Sequence, residues 1–121
     1  MKNKTLILIV VLIAAALFVT ACGTPAPKGD LVNGKTEFEG TCSSCHGPDA
    51  KGMPDLGKDL TTSEFVKSKT DEEMIAFLLV GRPAYDPLNT TKVDMPPKGG
   101  NPALTDTDLQ DIISYVRSLQ K

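Results

Sequence analysis

Cys42-Ser43-Ser44-Cys45-His46 is the most informative stretch of this sequence. Two thiols three positions apart, followed directly by an imidazole, form the attachment pattern for c-type haem. Each thiol can add to one vinyl group of a porphyrin, and the adjacent imidazole can supply the proximal ligand to its iron. At average residue usage the pattern arises by chance in well under about one chain in a thousand of this length. It therefore predicts one covalently bound haem c, held by Cys42 and Cys45 with His46 on the iron.

Two other uses of a C-x-x-C motif fit this sequence less well. A structural zinc site needs four ligands, usually in two separated pairs, whereas the chain has three Cys and one His in total. Cys45 and His46 are also neighbours that cannot easily point at one metal ion. A disulfide-exchange motif follows a strand in a thioredoxin-like βαβ unit, and no such pattern surrounds Cys42.

The chain begins with a segment typical of exported proteins. Residues 1–4 are basic, and residues 5–21 are almost wholly apolar, as in a secretory signal. The run is short for a membrane span, which needs about 20 apolar residues. It ends in Val19-Thr20-Ala21-Cys22, which is similar to a bacterial lipobox. We expect residues 1–21 to be a lipoprotein signal peptide and Cys22 to carry lipid. An uncleaved signal anchor, or an ordinary signal with an incidental Cys, is the alternative.

Export and lipidation would account for every cysteine. Lipid on Cys22 and haem on Cys42 and Cys45 would leave no free thiol in an oxidising compartment. Residues 22–30 form the expected lipidated N-terminus and Pro/Gly linker, of which residues 23–29 span only about 20 Å when extended. We therefore expect a protein that is lipid-anchored to the outer (periplasmic or extracytoplasmic) face of a bacterial cytoplasmic membrane.

Residues 31–121 have the length of one small domain. From Cys22 onward the chain carries 11 basic and 15 acidic side chains, because two of the 13 Lys and Arg residues lie in the signal segment. With no basic patch or aromatic stripe, the sequence argues against nucleic acid as a partner. The whole chain has six aromatic residues, one of them in the signal segment, and no Trp. This composition would make a thin core, and a buried porphyrin would supply the missing apolar volume.

Three helices are expected in this domain. The first covers residues 31–42, and the second, residues 70–80, begins with the capping box of Thr70 and Glu73 and ends before Gly81. The third begins near Thr105. Its core face has clean helical spacing and consists of Leu109, Ile112, Ile113, Val116 and Leu119. No strand pattern is present, so the prediction is an all-α domain with long loops.

The order of these features resembles that of class I monohaem cytochromes c: a short helix, C-x-x-C-H, a loop, a helix, Met-Pro in a long loop, and a final amphipathic helix with a Tyr. The resemblance covers residues 31–120. It implies the class I cytochrome c fold, in which three to four short helices with long loops wrap one covalently bound haem.

The resemblance also implies specific contacts. Gly34 and Phe38 match first-helix positions that pack against the last helix, and Ile112 and Tyr115 match their partners there. Pro54 matches the residue whose carbonyl accepts a hydrogen bond from Nδ1 of the proximal histidine, which would fix the tautomer of that imidazole.

The second axial ligand must come from another residue type, because the chain has one His. Three methionines follow the signal segment. Met53 lies on the stretch expected to cover the proximal side, and Met74 lies on the apolar stripe of a helix, where Met usually fills the core. The resemblance assigns the axial sulfur to Met95, in a loop that two prolines restrict. Lys98, or an open site, is the alternative.

His/Met ligation would fill both axial positions and suits one-electron transfer rather than catalysis. The sequence contains no constellation of acid, base and nucleophile, so we expect a carrier and not an enzyme. The alternative is a haem enzyme or gas sensor, peroxidase-like, with an open distal site. A third alternative is a structural subunit whose haem is not oxidised and reduced in function.

The lipobox, the short linker and residues 93–104 are similar to small lipoprotein cytochromes of bacterial respiratory chains, particularly the monohaem subunit of alternative complex III. The resemblance implies membrane-bound electron donor and acceptor proteins as partners. The carrier would pass electrons between a quinol-oxidising complex and an acceptor such as a terminal oxidase or a soluble copper or haem protein. The protein would be either a subunit of a respiratory or photosynthetic complex of the alternative complex III type or a free-standing donor to a terminal oxidase.

Two features depart from better-known members of this family. The chain has no Trp to hydrogen-bond a haem propionate, which leaves Arg82, Tyr85, Asn89 and Thr90 as candidates. It also has no obvious ring of Lys for docking an acidic partner.

Overall fold

A computed structural model of the protein describes residues 28–121. The expected signal peptide (residues 1–21), the lipid on Cys22 and the linker up to residue 27 lie outside the described residues. Residues 28–121 form helices joined by loops and contain no strand, which confirms the prediction of an all-α domain. No helix among them has the length and apolar character needed to cross a bilayer.

The first helix is longer than predicted and carries the whole C-x-x-C-H motif. It consists of α1 (Leu31–Glu37), a π-helical turn (Phe38–Cys42) and α2 (Ser43–His46) in direct succession. Asp30 caps its start by accepting backbone hydrogen bonds from the second and third residues of the helix. In the π-helical turn, the Ser43 N–H donates to the Phe38 carbonyl, five residues earlier, and a single turn of this kind is too short to be recognised from side-chain periodicity.

Two helices follow the loop after the motif. α3 (Glu64–Ser68) is capped by Ser63 and was not predicted, because five residues are too few to show a period. α4 (Asp71–Val80) begins with the predicted capping box, in which Thr70 and Glu73 bond each other's backbone N–H groups. It ends at Gly81, whose φ of +74° is unfavourable for a residue with a Cβ.

The last helix, α5 (Asp106–Ser118), packs across α1. It starts with a second capping box, formed by Thr105 and Asp108. A Cβ built on Gly34 would lie 2.1 Å from the Asp111 carbonyl oxygen, so the two backbones meet where only glycine fits. Phe38 and Tyr115 pack one turn further on, with ring centroids 5.5 Å apart. The predicted contact between the first and last helices is therefore confirmed.

Arg117 joins α5 to the helices of the opposite side. Its Nε lies 2.7 Å from a carboxylate oxygen of Asp71, and its two terminal nitrogens donate to the carbonyls of Val66 (3.1 Å) and Lys69 (2.6 Å). The hydrophobic core lies between these elements. It contains Phe38, Ala50, Val66, Met74, Leu78, Leu104, Leu109, Ile112, Ile113 and Val116.

Candidate cofactor site

A cavity of about 580 Å³ lies inside the ring of helices and loops, within the roughly 300–1,000 Å³ usual for cofactor sites. The four residues predicted to bind haem, Cys42, Cys45, His46 and Met95, all line it. Most of the remaining wall is apolar, with side chains from α3, α4 and α5. The sequence places His46 and Met95 far apart along the chain, and the fold brings them to one cavity.

Cys42 and Cys45 are both unpaired thiols on the first helix. Burial, and then the neighbouring Cys45, raises the pKa of the Cys42 thiol to about 11. Among residues 28–121 no cluster of three His, Cys, Asp or Glu side chains could hold a metal ion. The donor set therefore fits thioether attachment of a porphyrin better than a zinc site.

His46 is held by a different carbonyl from the one expected. Its Nδ1 lies 2.8 Å from the carbonyl oxygen of Lys58, so the expectation that Pro54 would accept this hydrogen bond is wrong. A carbonyl can only accept, so Nδ1 carries a proton, and in the neutral imidazole Nε2 then has the free lone pair. An imidazole in this tautomer, oriented by a backbone acceptor, is the form that binds a metal.

The path of the loop after the motif explains why the carbonyl of Lys58, and not that of Pro54, accepts this hydrogen bond. Met53 and Gly57 pair as an antiparallel bridge, with the Met53 N–H donating to the Gly57 carbonyl (2.9 Å) and the Gly57 N–H donating back (3.2 Å). Pro54 lies exposed in the turn that this bridge closes. A Cβ on Gly57 would be 2.1 Å from the Cys45 carbonyl oxygen. Because the chain crosses the motif so closely at Gly57, the next residue, Lys58, meets His46.

Met95 is fixed beside the end of α4. Its N–H donates to the Arg82 carbonyl and its carbonyl accepts from the Arg82 N–H, both at 2.8 Å. A Cβ on Gly81 would lie 2.2 Å from the Met95 carbonyl oxygen, so the glycine that ends α4 also admits this loop. Met95 thus lines the cavity from a segment whose backbone is hydrogen-bonded to the helical frame.

The alternative ligands are less well placed. Met53 is 43% exposed, and it does not line the cavity. Met74 borders the cavity but is 7% exposed and packs within the hydrophobic core, as its place on the helix predicts. The Lys98 ammonium donates to the Leu104 carbonyl at 2.6 Å.

The four candidates for a propionate partner lie in different surroundings. Tyr85 is 87% exposed, Thr90 is exposed, and Asn89 is buried with its amide bonded to the loop around it. Arg82 lines the cavity, and its Nε is buried without a hydrogen-bond partner.

The surroundings of the Arg82 guanidinium were not predictable from sequence. Its central carbon lies 4.6 Å from the ring centroid of Phe65 and 4.9 Å from that of Phe77. These two rings pack edge to face at 5.0 Å, and Phe65 belongs to the helix that periodicity did not reveal. The nearest carboxylate oxygen, on Asp86, lies 3.6 Å from the Arg82 Nε, too far for a hydrogen bond.

Comparison with known proteins agrees with this geometry. The family model for cytochrome c matches residues 31–120. Cytochrome c-555 of Prosthecochloris aestuarii is 33% identical over 88 residues, which cover 72% of this chain and 85% of that protein. Cytochrome c-555 of Chlorobaculum thiosulfatiphilum is 30% identical over 87 residues, covering 72% and 93%.

A longer relative is also similar over the same region. The Cbb3-type cytochrome c oxidase subunit CcoP of Rhodobacter capsulatus is 31% identical over 98 residues, which cover 80% of this chain but 32% of that subunit. The family match spans most of the chain, and the motif cysteines line a cavity of suitable size and character. This chain therefore belongs to the cytochrome c family, as a class I c-type electron carrier with one haem c bound covalently through Cys42 and Cys45.

Proposed function

We propose that this protein is a one-electron carrier whose haem iron is bound axially by His46 and Met95. The observation that carries the proposal is that Met95 lines the same cavity as the C-x-x-C-H motif, from a loop whose backbone is paired with Arg82. The Lys58 carbonyl orients His46, which leaves its Nε2 available as a ligand. The far-red absorption spectrum of the oxidised holoprotein, in which sulfur ligation gives a weak band, tests this ligation directly.

The proposed ligation determines the kind of chemistry. Bound haem supplies an iron that exchanges single electrons, and His/Met ligation raises its reduction potential. The chain's own residues hold the two ligands and surround the cavity with apolar side chains, which limit the access of water. With His46 and Met95 both serving as ligands, small molecules would find no free coordination site. If the ligation test shows an open axial site, a haem enzyme or gas sensor becomes the favoured function.

Arg82 is the residue we assign to a haem propionate. The Arg82 Nε is buried without a hydrogen-bond partner although Asp86 forms an ion pair with it at 3.6 Å, and a buried N–H is costly unless an acceptor satisfies it. Arg82 faces the cavity, and its nearest carboxylate lies beyond hydrogen-bonding distance. A propionate is the anion that a porphyrin would bring into this cavity. Arg82 would then donate the hydrogen bond that Trp donates in other members of the family.

We expect Arg82→Gln to lower the reduction potential by on the order of tens of millivolts. The positive charge favours the reduced iron, which carries one positive charge fewer, so its removal favours the oxidised state. Arg82→Lys should have a smaller effect, because it keeps the charge and loses the fork of donors. Potentiometric titration measures the change. Lys51→Gln, which removes an exposed charge paired with Asp49, is the control. Equal potentials in Arg82→Gln and Lys51→Gln would contradict the assignment.

We further propose that the carrier works at the outer face of a bacterial cytoplasmic membrane, anchored by lipid on Cys22. It would accept electrons from a quinol-oxidising complex and pass them to a terminal oxidase or a soluble copper or haem protein. The signal-like residues 1–21 support export. Similarity to an oxidase subunit, CcoP, supports an oxidase as acceptor. Complexes of the alternative complex III type remain the proposed setting on the donor side.

The anchor is tested by exchanging residues 1–22 for a cleavable secretory signal without Cys. We expect the holoprotein to move to the soluble fraction with an unchanged absorption spectrum. Its reduction by quinol-supplied membranes should slow by on the order of a hundredfold, because tethering raises the effective concentration. The mass of the unaltered mature chain should correspond to a lipid-modified N-terminal Cys22. An unmodified N-terminus would contradict the proposal.

A further inference from the structure

A buried amide lies at the centre of the loop that ends at Met95. Asn89 is 5% exposed, and an amide leaves water without loss only when its polar atoms find partners. Its Nδ2 donates to the Val93 carbonyl at 2.7 Å and to the Pro83 carbonyl at 3.1 Å. One side chain therefore joins the beginning of the loop, at Pro83, to Val93, two residues before Met95.

The other atom of the same amide is also used. The Asn89 Oδ1 accepts from the Lys92 N–H at 3.0 Å and from the Thr91 hydroxyl at 3.1 Å. Lys92 has a φ of +60°, a left-handed conformation that a residue with a Cβ rarely adopts. The hydrogen bond from its N–H stabilises this turn, which lies three residues before Met95.

These partners leave the amide only one orientation. The atom facing the carbonyls of Pro83 and Val93 must be a donor, and the atom facing the Lys92 N–H must be an acceptor. Aspartate has the same shape but no donor, so at this position it would direct an oxygen at those carbonyls. The site thus depends on the chemistry of asparagine and not on its volume alone.

The hydrogen bonds of Asn89 hold the backbone at Pro83, Lys92 and Val93, inside the loop that ends at Met95. The loop is closed at its base by the paired backbones of Arg82 and Met95, and Asn89 holds its interior. We infer that Asn89 is a positioning residue for Met95, which keeps the thioether directed at the haem iron. This inference rests on the proposed ligation by Met95. A thioether is a weak ligand, so its bond depends on a loop that is ordered in advance.

The test compares Asn89→Asp and Asn89→Ala with the unaltered holoprotein. The haem stays attached in each through its two thioether bonds, so the state of the iron can be read in every variant. We expect the affinity of the reduced protein for carbon monoxide, which competes with Met95, to rise about ten- to a hundredfold, as the loss of buried hydrogen bonds implies. The weak far-red band of sulfur ligation should shrink in parallel. Thr91→Val, a milder change, should give an increase of about two- to tenfold.

Asn33→Asp provides the matched control. The Asn33 amide donates to Asp111 at 2.8 Å and to Asp108 at 3.3 Å, at the contact of α1 with α5. The substitution should therefore destabilise the fold by the same kind of repulsion without changing ligation. If the unaltered protein has the sulfur band and the Asn89 variants keep it, with carbon monoxide affinity equal to that of Asn33→Asp, the inference is wrong while the proposed function stands. If the unaltered protein lacks the band, both are wrong.

Discussion

In a Met95→Ala variant, we expect the reduction potential to fall and the reduced protein to bind carbon monoxide readily at neutral pH. Methionine sulfur favours the reduced iron, and its loss opens one axial position. The fall should be on the order of 0.1 V, a fraction of the roughly 0.8 V over which axial ligands tune haem potentials. Potentiometric titration and carbon monoxide binding measure the two effects. Electron delivery to the acceptor should stall as well.

The other methionines provide matched controls for this variant. Met53 is exposed and does not line the cavity, so Met53→Ala should leave the potential unchanged. Met74→Leu keeps the volume of a buried side chain and should cost less than about 1.5 kcal/mol in stability, with the axial ligand retained. An unchanged reduction potential in Met95→Ala, together with a lowered reduction potential in Met74→Leu, would identify Met74 as the sulfur ligand instead.

Gly34→Val should have the largest effect on stability. A Cβ at this position would lie 2.1 Å from the carbonyl oxygen of Asp111 and 2.5 Å from its carbonyl carbon. Both atoms are backbone, so α1 and α5 must separate to make room, and the core beside Phe38 would lose contacts. We expect the free energy of unfolding of the oxidised holoprotein to fall by about 3 kcal/mol. Denaturant titration followed by circular dichroism measures it.

Gly40 offers the control on the same helix. A Cβ there would meet no atom within 4 Å, so Gly40→Ala should be neutral or stabilise by up to about 1 kcal/mol through the reduced entropy of the unfolded chain. Gly34→Ala should already be destabilising, since it adds the clashing atom. Equal stability of Gly34→Ala and Gly40→Ala would show that the two helices do not need this close approach.

The features of the fold that depend on neighbouring residues were predictable from sequence. Thr70 and Glu73 bond each other across a single helical turn, and so do Thr105 and Asp108, so the pattern contains all the chemistry of each cap. The C-x-x-C-H motif is equally local. Its five residues predict the attachment of the cofactor without reference to the rest of the chain.

Features set by the path of the backbone could not be predicted in the same way. Any backbone carbonyl can accept a hydrogen bond from an imidazole N–H, so the choice of Lys58 over Pro54 depends on where the bridge between Met53 and Gly57 directs the chain. The π-helical turn Phe38–Cys42 is a single turn of five residues, too short to show a period of its own in the apolar pattern.

The distal side of the cavity depends on contacts between distant segments. Sequence reasoning placed Met95 there by resemblance, but the loop that carries it is organised by Asn89 and by the backbone of Arg82. The sequence offers Asn89 only as a candidate propionate partner, because nothing in it indicates that the Asn89 amide is buried. The packing of Arg82 on Phe65 likewise requires a helix too short to be recognised.

The most direct test of the proposed carrier is the absorption spectrum of the unaltered oxidised holoprotein in the far red, followed by exposure of the reduced protein to carbon monoxide. We expect a six-coordinate low-spin iron with a weak sulfur-to-iron band that Met95→Ala abolishes, and little binding of carbon monoxide at neutral pH. A spectrum without the sulfur band, together with ready binding of carbon monoxide, would contradict ligation by Met95 and favour a haem enzyme or gas sensor with an open axial site.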